Sequence, residues 1–408
     1  MNKYFYFLWC SISFGKLAFS LYTMTLTVSL FLLTDSAILA AFIMLAHAAG
    51  KLASTFVFPL AAEKFPLEKL LASSLLLQSI LSIIVFGIIQ TMGTEPFPAL
   101  LEIYLFISIT GFADGFAAPC RLALIPEMVA DGQIGKANSL ITAADQSFAL
   151  LGWSLGAAAV SYYGSAPVLT ASIVLFCLSF VCSLQFKTKR MTKTQKRPKT
   201  EVIKEGWSFL FTAAKQMRTI TMMDLLEGVA SGIWIGAISL AFVSEVLDEG
   251  EEWWGYINTA YYAGSIAGGV WMAAYAGKME KHLIRGILIG SFAISLLVLI
   301  YAMNATPWLA LALVVFMGPF YQLRDICQQT YIQKVVPRDR LSKLYAAKDN
   351  LYYLTFAISV CLTGLIADTL GVVYVYYFAF FLYFISFTFA VRAFKKERVL
   401  TAKKGVKC

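Results

Sequence analysis

Eleven ionisable side chains interrupt stretches of this sequence that otherwise avoid charge: Lys16, His47, Lys51, Asp114, Asp145, Asp224, Glu227, Arg324, Asp325, Lys348 and Asp349. Several recur at helical spacing. HAAGK (47–51) sets His47 and Lys51 one turn apart, and Asp224 and Glu227 stand three residues apart, so each pair shares a helix face. Carboxylates, lysines and a histidine in apolar surroundings are suited to two kinds of chemistry, proton exchange and electrostatic binding of a solute. Neither requires a covalent step. The signatures of covalent or nucleotide-driven chemistry are missing: there is no GxxxxGK[ST] phosphate loop, no GxSxG and no HExxH. With only His47 and His282, and seven cysteines scattered without a CxxC pair, the chain implies no metal, no cofactor and no disulfide. It reads as a protein that is not an enzyme.

The elements that must position these groups follow from composition. Of 408 residues, 59% are hydrophobic and only 14% charged, against about a quarter charged in soluble domains. The apolar residues come in runs of about 20 or more, the length that crosses a hydrocarbon core as a helix. Twelve spans result, at approximately 4–33, 36–61, 70–92, 99–119, 137–162, 167–186, 219–243, 254–276, 283–303, 307–330, 344–367 and 371–391. The first is too long for a cleaved signal segment and is read as retained. Connections on one side carry Asp35, Glu95, EVLDEGEE (245–252) and Asp368 and no base; the other side carries KTKRMTKTQKRPKTEVIK (187–204) and a basic tail. The positive-inside rule makes that basic side cytoplasmic, with both termini. The net charge of +9 thereby orients the protein in a membrane and calls for no nucleic acid.

The basic stretch divides the spans six and six, which implies an N-terminal six-helix bundle (1–186), a linker with a surface helix (187–218), a C-terminal six-helix bundle (219–394) and a tail (395–408). Traces of a repeat support two equivalent halves. AAEKFPLEKL (61–70) after span two corresponds to AGKMEKHLIR (276–285) after span eight, and aligning Gly164 with Gly371 brings Lys136 opposite Lys343. The expected fold is all-α, twelve transmembrane helices in two six-helix pseudo-repeats.

Spans three, six, eight, nine and twelve hold no interior charge, so three, six, nine and twelve are read as a lipid-facing scaffold and the charged spans as surrounding a central cavity. Ser13, Lys16, Ser20, Thr23 and Thr27 form a polar stripe on span one; Asn138, Thr142 and Asp145 form another on span five, followed by Gly152 and Gly156. The same hydroxyls serve equally well as packing groups that bond the carbonyl one turn back, and the small residues as helix contacts. Lys16, Lys51, Asp114 and Asp145 are two of each sign and are able to neutralise one another structurally. Asp114, Asp145, Glu227 and Asp224 are the candidates for proton coupling. Lys16, His47, Lys51 and Arg324, with the aromatic residues Trp234, Tyr256, Tyr261, Tyr262, Tyr321 and Tyr352, are the candidates for cavity charge and substrate contact, the rings suiting bulky amphipathic or cationic solutes. Glu63, Lys64, Arg121, Lys136, Asp325, Lys343 and Asp349 lie nearer the cytoplasmic ends and are gate candidates.

GFADGFAAPCRLALIPEMVADGQIGKANSL (111–140) and LLGWSLGAAA (150–159) resemble the major facilitator superfamily, above all the drug-exporter branch that includes macrolide efflux proteins and the enterobactin exporter. Ala118-Pro119, Arg121, the LIPE of Leu124 to Glu127 and Ala137-Asn138-Ser139 carry the match, with EGWSFL (205–210) and QKVVPRDRLSKLYA (333–346) in support. The family's loop after span two, close to G-x-L-A-D-R-x-G-R-R, is LAAEKFPLEKL here, and the antiporter Gly-Pro of span five is Gly152-Trp153. The resemblance implies a secondary transporter of a bacterial plasma membrane, a monomer, alternating between two faces and exporting a small organic solute coupled to protons or another ion. An importer or facilitator of an anionic metabolite, with Lys16, Lys51 and Arg324 binding the substrate, is the alternative; a non-transporting sensor or assembly factor is a third.

Overall fold

The computed structural model describes residues 1–34, 36–91, 96–185, 199–212, 215–234 and 236–403. Asp35, Glu95, most of the basic linker (186–198) and the end of the tail (404–408) lie outside the described residues. Those described are helical, with no strand among them. The helices are α1 (Lys3–Thr34), α2 (Ala37–Lys64), α3 (Leu67–Thr91), α4 (Pro96–Met128), α5 (Ile134–Tyr163), α6 (Ser165–Ser183), α7 (Lys199–Thr212), α8 (Lys215–Ala230), α9 (Gly236–Glu245), α10 (Glu251–Met279), α11 (Leu283–Ala302), α12 (Pro307–Val335), α13 (Arg338–Leu370) and α14 (Val372–Lys403).

Nine of these are long and apolar enough to cross a membrane. The α8 and α9 segments form a tenth span bent by 52°. Its break is a 3-10 turn, Ser231–Trp234, where Gly228, Gly232 and Gly236 weaken the helix. At 30 and 29 residues, α5 and α10 complete twelve spans; each reaches ~45 Å, although Asn138 and Asp145 dilute the apolar character of α5. The outward apolar surface is extensive: Leu32, Leu101, Trp308 and Leu365 are each more than half exposed. A hydrocarbon solvent explains both that surface and the restriction to helices, which satisfy every backbone group internally.

The chain forms two compact units, and neither is a continuous segment. Unit 1 comprises residues 1–131, 144–206 and 336–347; unit 2 comprises 132–143, 207–335 and 348–408. The start of α5 thus groups with unit 2 and the start of α13 with unit 1. In unit 1, Tyr22, Leu26, Ile43, Val85, Ile103 and Phe176 form a core contributed by α1, α2, α3, α4 and α6. In unit 2, Phe242, Tyr301, Met317 and Tyr376 do the same from α9, α11, α12 and α14.

Local geometry repeats between the units. In unit 1, α2 and α4 approach so closely that a side chain on Gly50 or Gly111 would strike the backbone of Ser108 or His47; in unit 2, Gly264 and Gly318 bring α10 and α12 together in the same way. Gly164 and Gly371 each form a one-residue turn between consecutive helices, with φ of 79° and 102°, a region open to glycine and costly for other residues. Packing also explains some polar stripes. Thr23 and Thr27 donate to the carbonyls of Phe19 and Thr23, and Gly152 and Gly156 seat against Ser20 and Leu21 of α1. Substituting Ala for Gly111 or Gly264 should therefore destabilise the protein by about 1–3 kcal/mol, read as a lowered thermal midpoint in detergent. A wild-type midpoint for both would contradict this close approach.

Candidate functional site

Two clusters of ionisable groups lie inside the spans, one in each unit. In unit 1 the centre is Asp114 on α4. Lys51 Nζ donates to its Oδ2 at 2.9 Å, Arg121 Nη2 lies 3.5 Å from Oδ1, and His47 Nε2 lies 4.0 Å from Oδ2. Lys51 arrives there because the glycine contacts hold α2 against α4, and Arg121 because seven residues are two helical turns. The Phe19 ring covers His47 at 4.6 Å. Arg121, a gate candidate by sequence, is thus part of the Asp114 cluster. Asp145 makes no ion pair within 4 Å among the described residues, but Lys16, Arg121 and Asp114 are near enough to act on it electrostatically; its buried Oδ1 has no hydrogen-bond partner. Lys16 makes no ion pair among the described residues.

In unit 2 the centre is Arg324 on α12. Its Nη2 lies 3.2 Å from Asp224 Oδ1 and 2.7 Å from Glu227 Oε2, and its Nη1 lies 2.7 Å from Asp325 Oδ1. Asp224 also accepts from Lys348 at 2.7 Å and from Gln328 at 2.7 Å. Ser386 on α14 donates to Glu227 at 2.6 Å. The three-residue step from Asp224 to Glu227 aims both carboxylates at one guanidinium, which can serve several at once. These groups line a cavity of about 340 Å3 with Tyr321, Asp349, Tyr352 and Tyr383. Behind it, Trp234 Nε1 donates to the Tyr321 hydroxyl at 3.1 Å and Tyr321 donates to Tyr383 at 3.0 Å.

The sequence-derived aromatic candidates divide accordingly. Tyr321 and Tyr352 line the cavity, Trp234 stacks on Tyr261, and Tyr262 packs against Tyr261. Tyr256 is half exposed and packs on Trp253, away from the lining. Asp325 and Asp349, gate candidates by sequence, belong to the lining. Reading span twelve as scaffold alone requires correction: Tyr383 and Ser386 of α14 reach this site. A lone serine in an aromatic run gave no periodic signal. A wider depression along α6, from Ala166 to Leu175, offers one hydroxyl, Thr170, and no charge.

Of the remaining gate candidates, Glu63 and Lys343 meet at the start of α13. Buried Lys343 of α13 is paired with Glu63 at the end of α2 and with Glu205 of α7, at 2.8 Å from the latter. Arg340 adds a contact to Glu205 at 3.3 Å. In unit 2, Glu280 at the end of α10 accepts the Gly135 backbone N–H at 2.7 Å and pairs with Lys334 at 2.6 Å. Asn138 donates to Thr330 and Gln333 and accepts from Gln329. Lys64 and Lys136 are exposed. Lys136 therefore does not occupy the role its alignment with Lys343 suggested; the neighbouring backbone N–H does. Glu205 and Glu280 were visible in sequence only as members of short amphipathic or repeated stretches.

Removing one charge from a buried pair leaves the other without compensation. Asp114→Asn should cost about 3–5 kcal/mol of stability, because Lys51 and Arg121 then lack their counter-ion. Adding Lys51→Met to that variant should recover part of the loss in a thermal-unfolding measurement. If the single variant unfolds like wild type, Asp114 does not neutralise these bases.

Known proteins resemble the chain over nearly its whole length. The family model of the Major Facilitator Superfamily matches residues 8–347. Two proteins of Bacillus subtilis (strain 168) are similar: the uncharacterized MFS-type transporter YfmI is 35% identical over 403 residues, covering 97% of this chain and 98% of the relative, and the uncharacterized MFS-type transporter YjbB is 32% identical over 390 residues, covering 96% and 95%. Among solved structures, a bacterial homologue of the iron transporter ferroportin in an outward-facing state superposes with a TM-score of 0.78 at 13% identity, over 96% of this chain and all of that one. The fucose:proton symporter FucP of E. coli does so with a TM-score of 0.73 at 12% identity, over 95% and 98%. These two likenesses show the fold. With the helical architecture and the family match in agreement, the chain belongs to the Major Facilitator Superfamily and is a multi-pass membrane transporter.

Proposed function

We propose that this transporter couples protons to the outward movement of a small amphipathic organic compound by alternating access, in the manner of the drug-exporter branch its central motif resembles. The observation that carries the reading is the sharing of Arg324 among Asp224, Glu227 and Asp325 at the wall of a cavity. Three carboxylates compete for one guanidinium. Protonating Glu227 removes its claim and leaves Arg324 to Asp224 and Asp325, so proton occupancy and side-chain arrangement become linked. A ligand acts on such an equilibrium only through the difference in its affinity for the two arrangements. The Asp114 cluster and Asp145 are a second candidate for the same role in unit 1.

Lys343 with Glu63 and Glu205, and Glu280 with the start of α5, are proposed as gate contacts that must break for the cycle to proceed. In this reading the basic side is cytoplasmic, the membrane is the bacterial plasma membrane and the working unit is a monomer. Import of an anionic metabolite has less support at unit 2, where Arg324 already faces three carboxylates.

The test is transport in inverted membrane vesicles energised by a pH gradient and offered a panel of amphipathic dyes and antibiotics. The wild-type protein should accumulate at least one. Glu227→Gln and Asp224→Asn should each lower gradient-driven accumulation at least tenfold while leaving substrate exchange at equal pH intact. Unchanged gradient-driven transport in both variants would remove these carboxylates from the coupling mechanism.

A further inference from the structure

We infer that Ser386 is a positioning residue for the proton step: its hydroxyl occupies one oxygen of Glu227 and directs the incoming proton to the other, the one held by Arg324. This role rests on the transport reading above and adds an uncharged residue to it. The two oxygens of Glu227 face different helices. Ser386 Oγ of α14 donates to Oε1 at 2.6 Å, and Arg324 Nη2 of α12 lies 2.7 Å from Oε2. A hydroxyl that donates to a carboxylate favours the ionised form. With Oε1 taken, a proton from water adds to Oε2, where the guanidinium must leave. Proton uptake and the release of Arg324 then become one event. The charged groups that share the cavity are Asp224 on α8, Arg324 and Asp325 on α12, and Lys348 and Asp349 on α13, with the phenols of Tyr321, Tyr352 and Tyr383. A change confined to Ser386 leaves all of them in place, so its effect isolates one hydroxyl.

The internal repeat separates this role from packing. Ser179 stands at the same distance after Gly164 as Ser386 does after Gly371, so the two serines occupy equivalent places in the last span of each half. Both are fully buried, and both hydroxyls reach the first span of their own half. Ser179 donates to the backbone carbonyl of Ser11 on α1 at 2.7 Å, beside Gly15, which offers no side chain. Ser74, Ser79 and Ser139 likewise donate to carbonyls, one turn back in their own helices. Ser386 gives its proton to an ionisable group instead.

The test is an infrared pH titration of the purified full-length protein in lipid nanodiscs. The carboxyl band that Glu227→Gln removes reports the proton on Glu227. Ser386→Ala should move the midpoint of that band to higher pH by about one unit, the scale of one hydrogen bond to a charged group, because the ionised form loses a donor. The carbonyl stretch of the protonated acid should also rise in frequency, since Oε1 is then a carbonyl without its hydroxyl. Ser386→Thr, which keeps the hydroxyl, should restore both values, and Ser179→Ala, matched in place and burial, should alter neither. In inverted vesicles the pH profile of gradient-driven accumulation should shift with the midpoint. An unmoved midpoint or an unmoved stretch in Ser386→Ala, an equal shift in Ser179→Ala, or no band that Glu227→Gln removes overturns the role of Ser386. The expected infrared shifts without gradient-driven accumulation in wild-type vesicles leave that role standing and remove the transport reading.

Discussion

Charge is expensive where water is scarce, and the interior of this protein is organised around that cost. A carboxylate or ammonium within a membrane span must find a partner, face a cavity or lose its proton. Asp114 finds Lys51 and Arg121; Arg324 finds Asp224, Glu227 and Asp325. Asp325 is the next residue on α12, but every other partner arrives from another helix or another turn, so helix packing and charge pairing depend on one another. The glycine contacts between α2 and α4 carry Lys51 to Asp114, while the break after α8 leaves Asp224 and Glu227 on a short helix whose carboxylates meet Arg324 of α12.

The two halves repeat their framework and reverse their charges. Close glycine-mediated packing joins α2 to α4 and α10 to α12, and a positive-φ glycine turns the chain after α5 and again after α13. On α4, however, the central group is an acid held by bases, and on α12 it is a base held by acids. Backbone contacts allow few substitutions and preserve the repeat. The side chains of the charged clusters have no such constraint, and there the halves carry different chemistry.

Much of this was readable along the chain. Apolar runs and their length implied the spans, because a hydrocarbon core sets one dimension that every crossing helix must meet. The match of Gly164 with Gly371 proved to be a match of backbone conformation. Charges inside apolar runs marked Lys51, Asp114, Asp224, Glu227 and Arg324, since such residues stand out against their neighbours. Ser386 and Tyr383 did not stand out: a hydroxyl in an aromatic helix has no periodic signature, and its value lies in a carboxylate 159 positions away. Arg121, Asp325 and Asp349 stand out as charges, but which groups they meet is not legible, because distance from a span end says little about which helix lies opposite.

By itself the sequence determined the solvent, the number of crossings and the set of ionisable groups that had to be accommodated, all properties of local composition against a fixed hydrocarbon thickness. Tertiary structure alone decided the pairing: which acid meets which base, that three carboxylates share Arg324, and that the starts of α5 and α13 group with the opposite units. Pairing energy depends on separations of a few ångströms between residues far apart in the chain, and no one-dimensional pattern encodes those separations until the helices have packed.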